Sequence, residues 1–282
     1  MKEQEIKTMN LYHHLDRIDR RLKELGYTNQ ETVVDPEELG TLDSMHFFGD
    51  EPICRIVELL AEAPGDERQK KVLDIGTGFG GTARLLAHRS GCTVHALELQ
   101  PDLSAVGSEL TRRCGLSGRI THLNGDFMEL PVTPGAYDAV VGLLCFLHIG
   151  NWRELFQRCF DSLKPGGLLY VDDFFQRGQE LTTDDKRTLK EDVYCSDLLS
   201  EDNILATLAN CGFEKADFQD VTPKWQPYLT DRAAQYRASL ATHIEHDGEA
   251  AARGLDHFYT SVARIFRAGN VGGFTLVVRK PL

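Results

Sequence analysis

No stretch of the 282 residues approaches the ~20 consecutive apolar residues of a membrane-spanning helix, so no membrane span is expected. The opening Met1-Lys2-Glu3-Gln4-Glu5 is charged and has no apolar core, which argues against a secretory leader and for a cytoplasmic location. Cysteine is scattered over positions 54, 92, 114, 145, 159, 195 and 211, odd in number and without a C-x-x-C pair. That excludes a disulfide framework and predicts free thiols in a reducing compartment. Basic residues are outnumbered by acidic ones, 31 to 43, for a formal net charge of -12. Nucleic-acid binders need a basic face, so no nucleic-acid partner is expected. His243, His246 and His257 are too dispersed to read as a metal cluster, and no metal site is predicted. There is no internal repeat. What remains is an ordinary balance of 41% hydrophobic and 26% charged residues, in a chain long enough for one large α/β domain with insertions or for two small domains.

Leu11, Leu15, Ile18, Leu22 and Leu25 form one apolar stripe at helical spacing, which Gly26 ends. Residues 28–48 read as loop, with Pro36 and Gly40. Pro52 opens a helix whose Ile53, Ile56, Val57, Leu59 and Leu60 face a core. From 71 onward strands and helices alternate, with strands expected at 71–75, 93–98, 119–123, 137–143 and 167–172. A helix from Trp152 to Leu163 is stopped by Lys164-Pro165-Gly166-Gly167. Further helices are expected at 183–192, from Ser200 to Gly212, and over most of 224–268, with strands at 216–221 and 271–279. Alternation of this kind builds a doubly wound sheet, whose ligands sit beyond the carboxyl ends of the strands.

The chemistry is concentrated in Val72-Leu73-Asp74-Ile75-Gly76-Thr77-Gly78-Phe79-Gly80-Gly81, an apolar strand that breaks into a glycine loop and becomes a helix from Thr82 to His88. The next strand ends on Glu98, whose carboxylate can accept two ribose hydroxyls. The glycines fall at 76, 78, 80 and 81 and so miss the G-x-G-x-x-G spacing of dinucleotide sites. Asp74 also argues against a pyrophosphate and suits a cationic cofactor, because it can receive the ammonium of a methionine moiety. The predicted ligand is S-adenosyl-L-methionine, leaving as S-adenosyl-L-homocysteine.

With VLDIGTGFGG at 72–81, ALEL at 96–99, NGDF at 124–127, YDAV at 137–140 and LKPGG at 163–167, the chain resembles the class I S-adenosylmethionine-dependent methyltransferases from Val72 to Leu282. The resemblance implies an α/β, doubly wound, seven-stranded, mostly parallel sheet of the Rossmann-like methyltransferase fold. It implies an N-terminal helical cap and acceptor-side segment at 1–65, and a catalytic domain at 66–282 with lid insertions at about 175–200 and 224–268. It further implies cofactor contacts from Asp74, Gly76, Thr77, Gly78, Glu98, Leu99, Gly125, Asp126, Phe127 and Leu143. A narrower similarity is to sarcosine/dimethylglycine and phosphoethanolamine N-methyltransferases. It rests on Leu42–Gly49, on Phe146-Leu147-His148, on Val171-Asp172-Asp173 and on the tail from Leu255 to Lys280. Where the sarcosine/dimethylglycine group places a Trp, near 272, this chain has Gly, so that aromatic wall is missing or supplied elsewhere.

An amine acceptor must be neutral when it attacks, and a nearby histidine or carboxylate can take its proton. His148, just past the fourth strand, is the leading candidate, and the similar phosphoethanolamine enzymes use a histidine in the matching segment. His46 and one of Asp172 and Asp173, taken as Asp172, complete the set of candidate catalytic residues. Strand alternation should turn one of the two aspartates inward, to hold an ammonium or orient His148. Aromatics Tyr12, Tyr194, Trp225, Tyr228 and Tyr236 could wall an ammonium, and Arg232 and Arg237 could face a carboxylate or phosphate. The expected activity is methyl transfer to the nitrogen of a small amine or amino acid. The alternative is O-, S- or C-methylation of a small natural product, by a monomer or homodimer in either case.

Overall fold

A computed structural model describes residues 16–29, 31–39, 46–178, 180–195 and 197–282. Leu11, Tyr12, Leu15 and the Leu42–Met45 half of the leading run lie outside them. Five segments form the parallel part of one sheet: β1 (Lys71–Ile75), β2 (Thr93–Glu98), β3 (Ile120–Asn124), β4 (Tyr137–Leu143) and β5 (Leu163–Gln176). The central β1 and β4 are mostly apolar and buried because helices cover both faces, whereas the edge strand β3 is mostly polar. β6 (Glu214–Asp220) and β7 (Val271–Arg279) complete the sheet, with β7 antiparallel to both β5 and β6. The strand order is β3-β2-β1-β4-β5-β7-β6. The chain therefore winds outward from β1 to β3, returns, and winds the other way from β4, so the crevice opens between the ends of β1 and β4.

On one face, α3 (Glu51–Glu62) and α4 (Gly81–Ser90) bury Ile53, Ile56, Leu60, Ala83 and Leu86 against Val72, Val94 and Val141. On the other, α7 (Trp152–Ser162) and α9 (Glu201–Asn210) bury Leu155, Phe156, Ile204 and Leu208 against Leu73, Val140 and Leu169. α1 (Asp16–Glu24) lays Ile18 and Leu22 on Phe79 and on Leu103 and Leu110 of α5 (Pro101–Arg113). A third apolar cluster lies over the carboxyl ends of the strands. It joins Phe47 and Phe174 to α8 (Thr183–Glu191), α10 (Thr222–Ala238) and α12 (Glu249–Ala268), with α11 (Leu240–Asp247) linking the last two. Among the described residues no helix is long and apolar enough to cross a membrane, and no disulfide joins any of the seven cysteines.

Two stretches differ from expectation. The loop before α3 contains a single-turn helix, α2 (Pro36–Leu39), favoured by proline in its first turn followed by Glu37 and Glu38 near the positive end of the helix. β5 extends beyond 167–172 at both ends. Its start is irregular, with Tyr137 paired to Leu163 and then Ala139 to Leu168. At its far end Phe174–Gln176 pair with Val271–Gly273, a partner distant in sequence.

Gly142 of β4 is a packing requirement. A Cβ there would stand 2.3 Å from the Phe146 ring, which is buried against Trp152 and Phe156. Gly142→Ala should cost about 1–3 kcal/mol, the usual penalty of overpacking a core, read as a lower urea midpoint with an unchanged denaturant slope.

Candidate active site

A cavity of about 1300 Å³, counted out to its open mouth, lies over the ends of β1, β2 and β4. The structure brings all ten predicted cofactor residues to its lining, from Asp74 to Leu143, together with His46 and His148. Asp172 is not among the residues that line it.

The loop after β1 reverses tightly because Gly76 has φ +71, a conformation that costs an L side chain energy. A Cβ at Gly76 would also meet Cys145 Cβ at 2.6 Å, so this glycine admits the chain from β4. The Thr77 hydroxyl donates to Asp74 Oδ2 (2.6 Å). The Gly78 and Gln100 N–H groups donate to the two Glu98 oxygens (2.8 and 3.0 Å), which ties the glycine loop to the end of β2. Asn124 Nδ2 donates to the Glu98 carbonyl (2.9 Å) and so holds β3 in place. Asp126 accepts from the Met128 N–H (2.8 Å) in a short turn that presents Gly125 and Phe127. The Arg158 side chain braces this turn from behind through the Phe127 carbonyl (2.8 Å).

Burial dominates the electrostatics. Desolvation pushes Asp74 up to about 7 against the lowering effect of Thr77, and the neighbouring Glu98 raises it further. Desolvation also raises Glu98, although its backbone donors oppose the shift. Removed from water without a cation, both carboxylates favour a ligand that brings positive charge or hydroxyl donors. That is the demand a methionine ammonium, a sulfonium and a ribose would meet.

The candidate catalytic residues separate. His148 sits on the short helix α6 (Phe146–Ile149), held by Asp173 rather than Asp172. Buried Asp173 accepts the N–H groups of Phe146 (2.8 Å), Leu147 (3.2 Å) and Phe174 (2.7 Å). Burial pushes Asp173 up to about 7 in spite of these bonds. The expectation that an aspartate orients His148 thus takes a backbone form, through the other member of the pair. Asp172 accepts from the Tyr170 hydroxyl (3.4 Å) and lies opposite Thr275 on β7, and burial raises it to about 6. Two residues further along β5, Phe174 does line the cavity.

His148 Nδ1 is 3.3 Å from the Tyr194 carbonyl. The tautomer that donates there leaves Nε2 as the acceptor, and burial lowers the imidazole to about 4, so the ring is neutral at neutral pH. His46 Nδ1 is 3.3 Å from the Phe47 carbonyl. The remaining acceptor-side lining includes Phe47, Leu144, Leu147, Val193 and Phe258, with Arg232 from α10. Sequence reasoning missed Phe47, Phe174, Val193 and Phe258, since apolar residues at such positions look like core. The space near 272 is filled from α10, by Trp225, which is not among the residues that line the cavity. A Cβ on Gly273 would lie 2.1 Å from the Trp225 ring, and Trp225 backs Phe47 edge-on, with ring centroids 5.0 Å apart.

Residues 72–167 match the family model described as a methyltransferase domain. The sterol 24-C-methyltransferase of Saccharomyces cerevisiae is 27% identical over 249 residues, 80% of this chain and 65% of the yeast protein. The glycine/sarcosine/dimethylglycine N-methyltransferase of Actinopolyspora halophila is 27% identical over 223 residues, 77% of this chain and 38% of that one. The chain thus spans under two thirds of the length of either relative. Phosphoethanolamine N-methyltransferase 2 of Haemonchus contortus, solved with phosphomonomethylethanolamine and S-adenosylhomocysteine, has the same fold. Its TM-score is 0.73 at 23% identity, covering 82% of this chain and 52% of that one.

The assignment of Asp74 to the cofactor's ammonium can be tested through its titration: it holds a proton below about 7, and that proton must leave before an ammonium can bind. Affinity for S-adenosylhomocysteine should therefore fall as pH drops, by about five- to tenfold from pH 7.5 to 6 for one coupled proton, measured by calorimetry. Asp74→Asn should bind more weakly and lose this pH dependence.

The glycine loop, the buried carboxylates over the strand ends and the sheet order agree with the matched family model: residues 72–167 carry a methyltransferase domain, set in a sheet with the fold of the solved methyltransferases.

Proposed function

We propose that the enzyme transfers a methyl group to the nitrogen of a small amine or amino acid. The observation that carries this reading is the neutral His148 on the acceptor side of a cavity whose acidic lining belongs to the strand ends. A carboxylate beside the acceptor would hold an amine as ammonium, with no lone pair to attack. The apolar surround of Leu144, Leu147, Phe174 and Phe258 instead disfavours the charged form.

S-adenosylmethionine, when bound, supplies a methyl group on a cationic sulfur and so carries the reactivity itself. The protein contributes position and proton handling. Asp74, Glu98 and the glycine loop hold the cofactor. Nε2 of His148 accepts an N–H of the neutral amine and turns its lone pair toward the methyl carbon. Formation of the N–C bond, with the methyl's bond to sulfur breaking, would leave the nitrogen cationic, and His148 would take its proton. An imidazole lowered to about 4 does not store that proton. Phe47, backed by Trp225, and Phe258 keep bulk water from the reacting atoms. The likeness to the glycine/sarcosine/dimethylglycine enzyme supports this reading.

The second reading is C-, O- or S-methylation of a natural product. The apolar acceptor half favours it, as does the likeness to the sterol 24-C-methyltransferase.

Mass spectrometry of products from S-adenosylmethionine and an acceptor panel decides between them. The panel holds glycine, sarcosine, dimethylglycine, ethanolamines and their phosphates, biogenic amines, phenols, thiols and sterols. Methylated amines are expected, with His148→Ala lowering kcat by about 100-fold while S-adenosylhomocysteine still binds. Turnover confined to phenols, thiols or carbon acceptors, with every amine inert, would replace the first reading by the second.

A further inference from the structure

The cavity divides by charge. Asp74, Glu98 and Asp126 line it from the strand ends, whereas Arg232 enters from the lid helix α10 and is the only lysine or arginine among the described lining residues. Its guanidinium carbon lies 4.5 Å from the centre of the Tyr259 ring and 5.9 Å from that of Phe47. One of its nitrogens donates to the Tyr259 hydroxyl (3.2 Å). Among the described residues it forms no ion pair, although its neighbour on the same helix, Arg237, is paired with Asp256 (2.8 Å). A guanidinium stays charged at any ordinary pH and presents five donors in a planar fork. Here the rings and the hydroxyl fix its plane and engage one donor, and among the described residues no carboxylate pairs with it.

We propose that Arg232 clamps an anionic group, a carboxylate or a phosphate, at the end of the acceptor that does not receive the methyl. The fork fits either anion in bidentate fashion. The acidic strand ends repel an anion, so the acceptor can enter only with its charged end toward the lid and its nucleophile toward the cofactor. In a chain of net charge -12, a single local cation decides whether an anionic acceptor is admitted. The same contacts also secure the lid to Phe47, so anion binding and lid closure draw on one side chain. The inference rests on reading the cavity as a methyl-transfer site and deepens it by naming the acceptor's charge.

The test compares matched probes on the protein saturated with S-adenosylhomocysteine: N,N-dimethylglycine against its uncharged amide, and phosphoethanolamine against ethanolamine. Calorimetry on the unaltered protein should show the anionic member of at least one pair bound about tenfold or more tightly, as charge-assisted bonds imply. Which pair responds separates carboxylate from phosphate. Arg232→Gln should abolish that preference, and Arg232→Lys should restore part of it, with S-adenosylhomocysteine affinity kept within about twofold in both. Equal binding within both pairs, no binding of either anion, or a preference that survives Arg232→Gln overturns the proposal. Steady-state kinetics separate this from the amine reading. Amine methylation without charge selectivity sinks the clamp alone. An anionic oxygen or carbon acceptor whose KM rises in Arg232→Gln keeps the clamp and sinks the amine reading.

Discussion

The site is organised around carboxylates taken out of water with no cation, among the described residues, to pair with them. Asp74, Glu98 and Asp173 stand at the carboxyl ends of β1, β2 and β5, and burial raises all three above the ordinary carboxylate range. Each is tolerated because neighbouring donors partly replace water: the Thr77 hydroxyl for Asp74, two backbone N–H groups for Glu98 and three for Asp173. Those same bonds tie the glycine loop to β2 and α6 to β5. The electrostatic cost of the acidic strand ends and the rigidity of the site are therefore one arrangement, which a cationic ligand completes.

The division of charge follows from the order in which the chain supplies the walls. The doubly wound sheet brings the acidic tips to one floor, and residues far along the chain form the roof. Phe47 precedes the sheet, Val193 follows α8, and Arg232 and Phe258 belong to the last helices. These elements, from both sides of the sheet in sequence, cover the strand ends with apolar side chains and, among the described lining residues, a single lysine or arginine. An acidic floor and an apolar, cation-tipped roof are the consequence.

α6 links the two halves. Leu144 takes a left-handed backbone conformation, φ +52, its N–H donates to the Asp172 carbonyl (2.8 Å), and Gly142 leaves room for Phe146. The chain then turns directly off β4 into a single helical turn whose N–H groups Asp173 accepts. His148 is thereby carried on a segment fastened to the sheet, although the segment is too short to be a stable helix alone.

The sequence by itself determined the strands 71–75, 93–98, 137–143 and 271–279 with their bounds. It also determined the set of residues, from Asp74 to Leu143, that meet around the cavity. The strands are local properties, apolar runs of strand length bounded by glycine and proline, and the cavity set is a series of short motifs, each local, at the ends of four successive strands. Tertiary structure decided which aspartate holds α6. Asp172 and Asp173 are equivalent as sequence, and only the approach of β4 to β5 selects Asp173. It decided that Trp225 backs the aromatic wall, because the space at Gly273 is filled from another helix. It decided the length of β5, since the ladder at Phe174–Gln176 depends on a strand about a hundred residues away. It also decided the place of Arg232, because a charge on a polar helix reads alike in sequence whether it faces water or a cavity. What is set by neighbours along the chain was legible, and what is set by neighbours across the fold was not.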